Sequence, residues 1–207
     1  MNKKAMLVCG AAALMFSGVN AATTYDGNGQ VPEQFRLSGK AAARQHDYLS
    51  INADTAEKLA KACEAIARKN NSQVVVVILD PQGLPVHMHR MDGEGWIQIE
   101  QKALTALRTR APSRVLNNRN IEDPFTNTNM RGYDLTTQEG GLPIIVNGQL
   151  IGAIGVGGIP PAERNATYGE EMCARDALEQ VIGPQPPLLP DLAAQRRAQQ
   201  QQKQTRN

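Results

Sequence analysis

Gly140-Gly-Leu-Pro-Ile-Ile-Val-Asn147-Gly148-Gln-Leu-Ile-Gly-Ala-Ile-Gly-Val-Gly-Gly158 is the stretch whose reading decides the fold. Two apolar runs flank an Asn-Gly pair, which supplies the positive φ angles of a tight primed turn, so the stretch reads as a β-hairpin. Along a strand from Gln149 to Gly158 the side chains alternate. Ile151, Ala153, Gly155 and Gly157 then share one face, and Leu150, Gly152, Ile154, Val156 and Gly158 the other. Glycine weakens a strand, so several in one strand mark a close approach by another backbone or by a ligand. Ala153, Gly155 and Gly157 form a smooth floor against which a flat ligand or a neighbouring helix can lie.

Upstream, Asp54 and Glu57 have capping-box-like spacing. Ala56, Leu59, Ala60, Cys63, Ile66 and Ala67 follow at offsets of three and four, which predicts an amphipathic helix. Gln73 to Leu79 is a short branched-aliphatic run closed by Asp80-Pro81-Gln82-Gly83, a buried strand, and the chain returns as a second strand from Pro85 to Met91. Trp96, Ile99, Ala103 and Leu107 mark a second helix. From Ala111 to Gln138 the periodicity is lost, a length that points to a functional segment or to short helical turns. A last helix, from about Asn165 to Val181, stops at Gly183-Pro184. The fold class is therefore α+β: a small antiparallel sheet of hairpins with helices packed on its faces, a profilin-like arrangement.

The ends differ in kind. Met-Asn-Lys-Lys, an apolar stretch from Ala5 to Phe16 and then Val19-Asn20-Ala21 read as a signal peptide over residues 1–21, with cleavage near Ala21 and a periplasmic or secreted destination. That stretch is too short for the ~20 residues a membrane span requires, so no span is expected in the mature form. Loss of Lys3 and Lys4 takes the formal charge from +2 to about 0, which gives no reason to expect a nucleic-acid partner. Residues 22–50 read as an irregular extension and 51–183 as the folded body. Residues 184–207 read as a Pro/Gln-rich disordered tail, suited to draping over another exported protein.

Three sets of residues carry candidate chemistry. His87 and His89, two apart in an extended segment, project to one face about 6.5–7 Å apart at the Cα level, as a metal or haem-iron ligand pair or as a solvated edge. Lys102, Arg108, Arg110, Arg114 and Arg119 form a run without an acid. Such a run can hold a carboxylate through forked, charge-assisted bonds or simply meet water. Cys63 and Cys173 can pair in an oxidising compartment, or each can serve as a small buried hydrophobe on its helix stripe. Glu170 and Glu171 open the last helix, where they favour the positive end of its dipole. A dinucleotide fingerprint is excluded, because Pro160 stands where its last glycine belongs, and no nucleophile elbow is present.

The strings Val77-Ile-Leu-Asp-Pro-Gln-Gly83, Arg90-Met-Asp-Gly93, Gln101-Lys-Ala-Leu-Thr-Ala-Leu107, Gly140-Gly-Leu-Pro-Ile144 and Ile151-Gly-Ala-Ile-Gly-Val-Gly-Gly158, in this order, resemble the GlcG/HbpS-like family of haem-binding or haem-degrading proteins. The resemblance spans about residues 50–183. It implies an exported haem-binding or haem-handling protein that assembles into homo-oligomers, with haem as cofactor and His87 or His89 on the iron. The same resemblance suggests Thr109, flanked by Arg108 and Arg110, and the glycines Gly140, Gly141, Gly155 and Gly157 as the surroundings of a small planar or anionic ligand. The alternative is a periplasmic enzyme or accessory subunit acting on a small oxygenated organic acid, with no reaction defined. One departure stands out: residues 159–168 form a longer loop than the family has before its acidic pair.

Overall fold

Asn52 starts the first helix by accepting the Thr55 backbone N–H at 2.8 Å on its side-chain oxygen. The cap is therefore Asn52, two residues ahead of the Asp54 that the sequence pattern favoured. In this computed structural model, which describes residues 49–123, 125, 130–165 and 167–204, the helix runs Ala53–Lys69 (α1) and buries the predicted stripe of Ala56, Leu59, Ala60, Cys63 and Ala67. The expected signal peptide and nearly all of the 22–50 extension lie outside the described residues.

Four strands follow the predicted order, β1 (Val75–Leu79), β2 (Pro85–Arg90), β3 (Gly141–Val146) and β4 (Gln149–Gly157). They form one antiparallel sheet in the order β2-β1-β4-β3. Asn147 and Gly148 both adopt positive φ, +49° and +77°, so the hairpin turn has the predicted chemistry. Three helices cover the sheet: α1 and α4 (Glu170–Val181) on one face, α2 (Ile99–Thr109) on the other. Helix α2 begins at Ile99, and Trp96 lies outside it, partly exposed.

Strand register assigns the faces. Val76 and Ile78 stand opposite Val156 and Ile154 of β4 and opposite His89 and His87 of β2. They pack with α1 and α4 in the larger core, which includes Leu59, Ile144 and Leu178. Val75, Val77 and Leu79 stand opposite Gly157, Gly155 and Ala153 and pack with Ile99, Ala103, Ala106 and Leu107 of α2. Cys63 of α1 and Cys173 of α4 form a disulfide, with Cα atoms 5.5 Å apart. Of the two alternatives open from the sequence, pairing is the one observed.

The segment 111–138 holds a short helix, α3 (Arg114–Glu122), and a single 3₁₀ turn at Met130–Tyr133. α3 was not legible as a helix because Leu116 is its one buried residue, so its pattern carries little periodicity. The tail also departs from expectation. Leu192–Gln204 is helical (α5), rich in the good helix formers Ala, Gln and Arg, and Asp191 accepts the Ala194 N–H at 2.8 Å. α5 packs beside α3, and Asn118 donates to the Pro190 carbonyl at 2.8 Å. On the outer edge of β3, the Gln185 amide accepts the Ile145 N–H at 3.2 Å and donates to the Ile145 carbonyl at 3.1 Å. The Gly141 N–H donates to Ser113 Oγ at 2.9 Å.

Candidate functional site

Gly155 and Gly157 of β4 face α2 at close range, while Gly152 faces Ile51 and the Leu79 carbonyl on the other side. A Cβ built on Gly155 stands 2.4 Å from the Ile99 carbonyl oxygen, and one on Gly157 stands 2.0 Å from Ile99 Cδ1. Gly141 meets the Lys102 carbonyl at 2.0 Å in the same construction, and Gly140, at φ +105°, meets the Val156 carbonyl at 2.4 Å. The smooth floor therefore carries a helix, and the space a flat ligand needs over Gly140, Gly141, Gly155 and Gly157 is filled by α2 and by neighbouring backbone.

That close approach carries Lys102 into the interior. The residue is 4% exposed, and its ammonium donates to Glu170 Oε2 at 2.8 Å and to the Val156 carbonyl at 3.1 Å. Glu170, 3% exposed, is held on its other oxygen by Arg164 Nη2 at 3.1 Å. Arg164 comes from the long loop, where its Nε donates to the Ile159 carbonyl and its Nη1 pairs with Glu139 at 2.9 Å. Arg114, at the start of α3, pairs with Glu139 at 2.7 Å, with Asp191 at 3.0 Å, and with Glu171. Burial pushes the Glu171 carboxyl up to about 7, against the pull of Arg114 and with the help of the Glu139 and Asp191 charges. Thus Glu170 and Glu171 are members of an internal charge network, which goes beyond the helix-dipole role read from the sequence.

The basic run divides accordingly. Lys102 and Arg114 are committed to internal carboxylates, while Arg108 and Arg110 are exposed at the far end of α2. Arg108 donates to the Tyr133 carbonyl at 3.1 Å, and Arg119 is exposed on α3. Thr109 Oγ1 donates back to the Thr105 carbonyl at 2.7 Å, so its proton closes the helix end. A signal for the buried pair exists in hindsight, because Lys102 lies three residues after Ile99 and four before Ala106, on the apolar stripe itself.

Beside Lys102 a pocket of about 230 Å³ opens to the surface, lined by Glu94, Ile97, Ile99, Lys102, Pro160 and Glu170. Gly158, at φ +100°, makes room for the Glu94 carboxyl, whose Oε2 would stand 2.6 Å from a Cβ there. Desolvation raises the Glu94 carboxyl above its ordinary range, reinforced by the Glu163 and Glu170 charges and opposed by the Gly95 N–H.

The histidine pair lies elsewhere. His87 and His89 sit on the sheet face opposite Gly155 and Gly157, beside α1 on the edge strand. His89 Nε2 is 3.2 Å from Glu64 Oε2, and its side chain is 35% exposed. His87 is half-buried and has no hydrogen-bond partner among the described residues. Met91, which shares that face, is buried, with its sulfur accepting the Val74 N–H at 3.4 Å. One chain therefore does not bring the imidazoles, the Arg108 to Arg110 segment and the glycine strand into a single site. Among the described residues no cluster of three or more His, Cys, Asp or Glu side chains forms a metal cage, and no helix is long and apolar enough to cross a membrane.

Comparison with known proteins places this architecture. Residues 51–173 match the family model of the haem degrading protein HbpS-like family. An uncharacterized 15.0 kDa protein of Citrobacter freundii, from the dhaT-dhaS intergenic region, is 33% identical over 118 residues, 53% of this chain and 80% of that one. The crystal structure of a double mutant of HbpS from Streptomyces reticuli is similar at TM-score 0.57 and 25% identity, over 70% of this chain and 94% of that one. A crystal structure of a PduOC complex with haem shares the fold at TM-score 0.55 and 20% identity, over 64% of this chain and 96% of that one. The chain belongs to the HbpS-like haem degrading protein family.

Proposed function

We propose that the protein is an exported haem-binding protein, with His87 as the iron ligand and the macrocycle lying at the β2 edge beside α1. The observation that carries this reading is an imidazole pair on the outermost strand of a chain whose family is described as haem degrading. His87 makes no hydrogen bond among the described residues, and His89 Nε2 lies 3.2 Å from Glu64 Oε2 without forming one. The donor set fits an axial imidazole. It does not fit a haem intercalated over the β4 glycines, because α2 is already there. Bound haem would supply redox-active iron; the chain supplies the imidazole and the surface against which the ring rests.

A planar group at that edge keeps part of its surface in water, and a second copy of the chain would cover it. The function therefore goes with a homo-oligomer. Export is supported by the N-terminal pattern and by the Cys63–Cys173 pair, which suits an oxidising compartment. Titrating the purified protein with haemin is expected to give a Soret band distinct from that of free haemin. His87→Ala is expected to abolish it and His89→Ala to weaken it. A spectrum equal to that of free haemin, or one unchanged in the double variant, overturns the assignment.

A further inference from the structure

The pocket beside Lys102 has a hydrogen-bonding inventory that the fold leaves incomplete. An ammonium carries three N–H donors. Lys102 gives one to Glu170 and one to the Val156 carbonyl, and among the described residues no acceptor takes the third. A buried polar group of this kind is satisfied by something that enters the pocket. Glu170 is already held by a cation on each oxygen, Lys102 on one and Arg164 on the other, so its charge is compensated. Glu94, on the opposite wall, is in a different position: among the described residues no side-chain donor bonds to its carboxyl, which accepts only the Gly95 N–H. Ile97, Ile99 and Pro160 make the remaining wall apolar.

Charge decides what can enter. Arg164 is shared with Glu139, and Lys102 is spent largely on Glu170, while Glu94 has the Glu163 and Glu170 charges for neighbours. An anion would face uncompensated carboxylate at the mouth. The volume, about 230 Å³, is below the range of drug-sized pockets and suits a molecule of a few heavy atoms.

We propose that this pocket binds a small hydroxyl or amino compound without net negative charge, whose oxygen accepts the third N–H of Lys102 and whose donor group bonds to Glu94. The long loop is part of the device, because it supplies Pro160 to the wall and Arg164 to Glu170. The site lies on the opposite side of the sheet from His87 and His89, so it is separate from haem binding.

The test uses the full chain with labelled isoleucine methyl groups and three probes titrated separately: ethanolamine, glycerol and glycolate. Ethanolamine and glycerol are expected to shift the Ile97 and Ile99 methyl signals saturably, and glycolate to bind at least about tenfold more weakly. Glu94→Gln is expected to reduce ethanolamine affinity about tenfold, the scale of one charge-assisted hydrogen bond. Ile97→Trp, at an exposed wall position whose change spares the core, is expected to block all three probes. The proposal is overturned if no probe shifts these signals saturably, if glycolate binds as tightly as ethanolamine, or if both variants bind like the parent. Haemin titration of the same variants should be unchanged, so failure here leaves the haem assignment standing.

Discussion

The two faces of the sheet are built by opposite means. Toward α1 and α4 the strands present full-sized aliphatics, Val76, Ile78, Ile154 and Ile144, and the two helices are joined by a disulfide. Toward α2 the sheet presents Gly155, Gly157 and Gly141, so that the helix backbone itself touches the strands. There the helix is tied across to α4 by Lys102 and Glu170. The first face holds by burying full-sized aliphatics and by covalent closure. The second also buries Val75, Val77 and Leu79 under α2, and adds backbone proximity and an ion pair, with no room for an added atom at its glycines.

The sharpest way to break this contrast is one methyl group. Gly141→Ala puts a Cβ 2.0 Å from the Lys102 carbonyl oxygen and 2.5 Å from its carbon, both backbone atoms that cannot move without shifting α2. The expected loss is about 4 kcal/mol or more, beyond the usual cost of overpacking, and is read by denaturant unfolding or as failure to express folded protein. A cost of about 1 kcal/mol would mean that α2 is free to slide, and the contrast between the faces would disappear.

On the other face the covalent link is the feature to remove. Cys63 and Cys173 are 110 residues apart, and closing a loop of that length stabilises by about 2–5 kcal/mol. The double change Cys63→Ala with Cys173→Ala is expected to lower stability by that amount and to leave the haemin spectrum intact. An effect near zero would assign the face wholly to its aliphatic packing.

The smallest effect expected is a pH dependence. Glu171 holds its proton up to about pH 7 in the folded chain, against an ordinary carboxyl range in the unfolded one. The stability this adds is complete below the unfolded value and is lost as the pH rises through about 7. Stability should therefore fall between pH 5 and pH 8 by an amount on the order of 1–3 kcal/mol, read as a falling melting temperature. Glu171→Gln should flatten that slope. Glu64, whose bond from Arg68 holds its carboxyl below the ordinary value, acts only at lower pH and does not blur the window.

Much of this architecture was legible in the letters because it is local. Asn147-Gly148 dictates its turn, and the spacing of Ala56, Leu59, Ala60 and Cys63 dictates its helix. What stayed hidden depends on relations across the chain. Alternation says which residues share a face within one strand, yet whether His87 joins the face of Gly155 depends on register across β1, with its irregularity at Ile78 and Leu79. The same holds for charge. Lys102 and Glu170 are 68 residues apart, so a buried pair looks in sequence like a solvated cation and a helix-end acid. Arg114 hid its partners behind separations of the same kind, and Arg164 sits in a loop with no periodicity to announce it.

The outer edge of β3 has one more consequence. Its outward-facing amide positions are Gly141, bonded to Ser113; Pro143, which has no N–H; and Ile145, answered by the Gln185 amide. Among the described residues, no backbone N–H on that edge is left for a further strand to grip, which protects a sheet whose central strands are rich in aliphatic side chains from growing on that side.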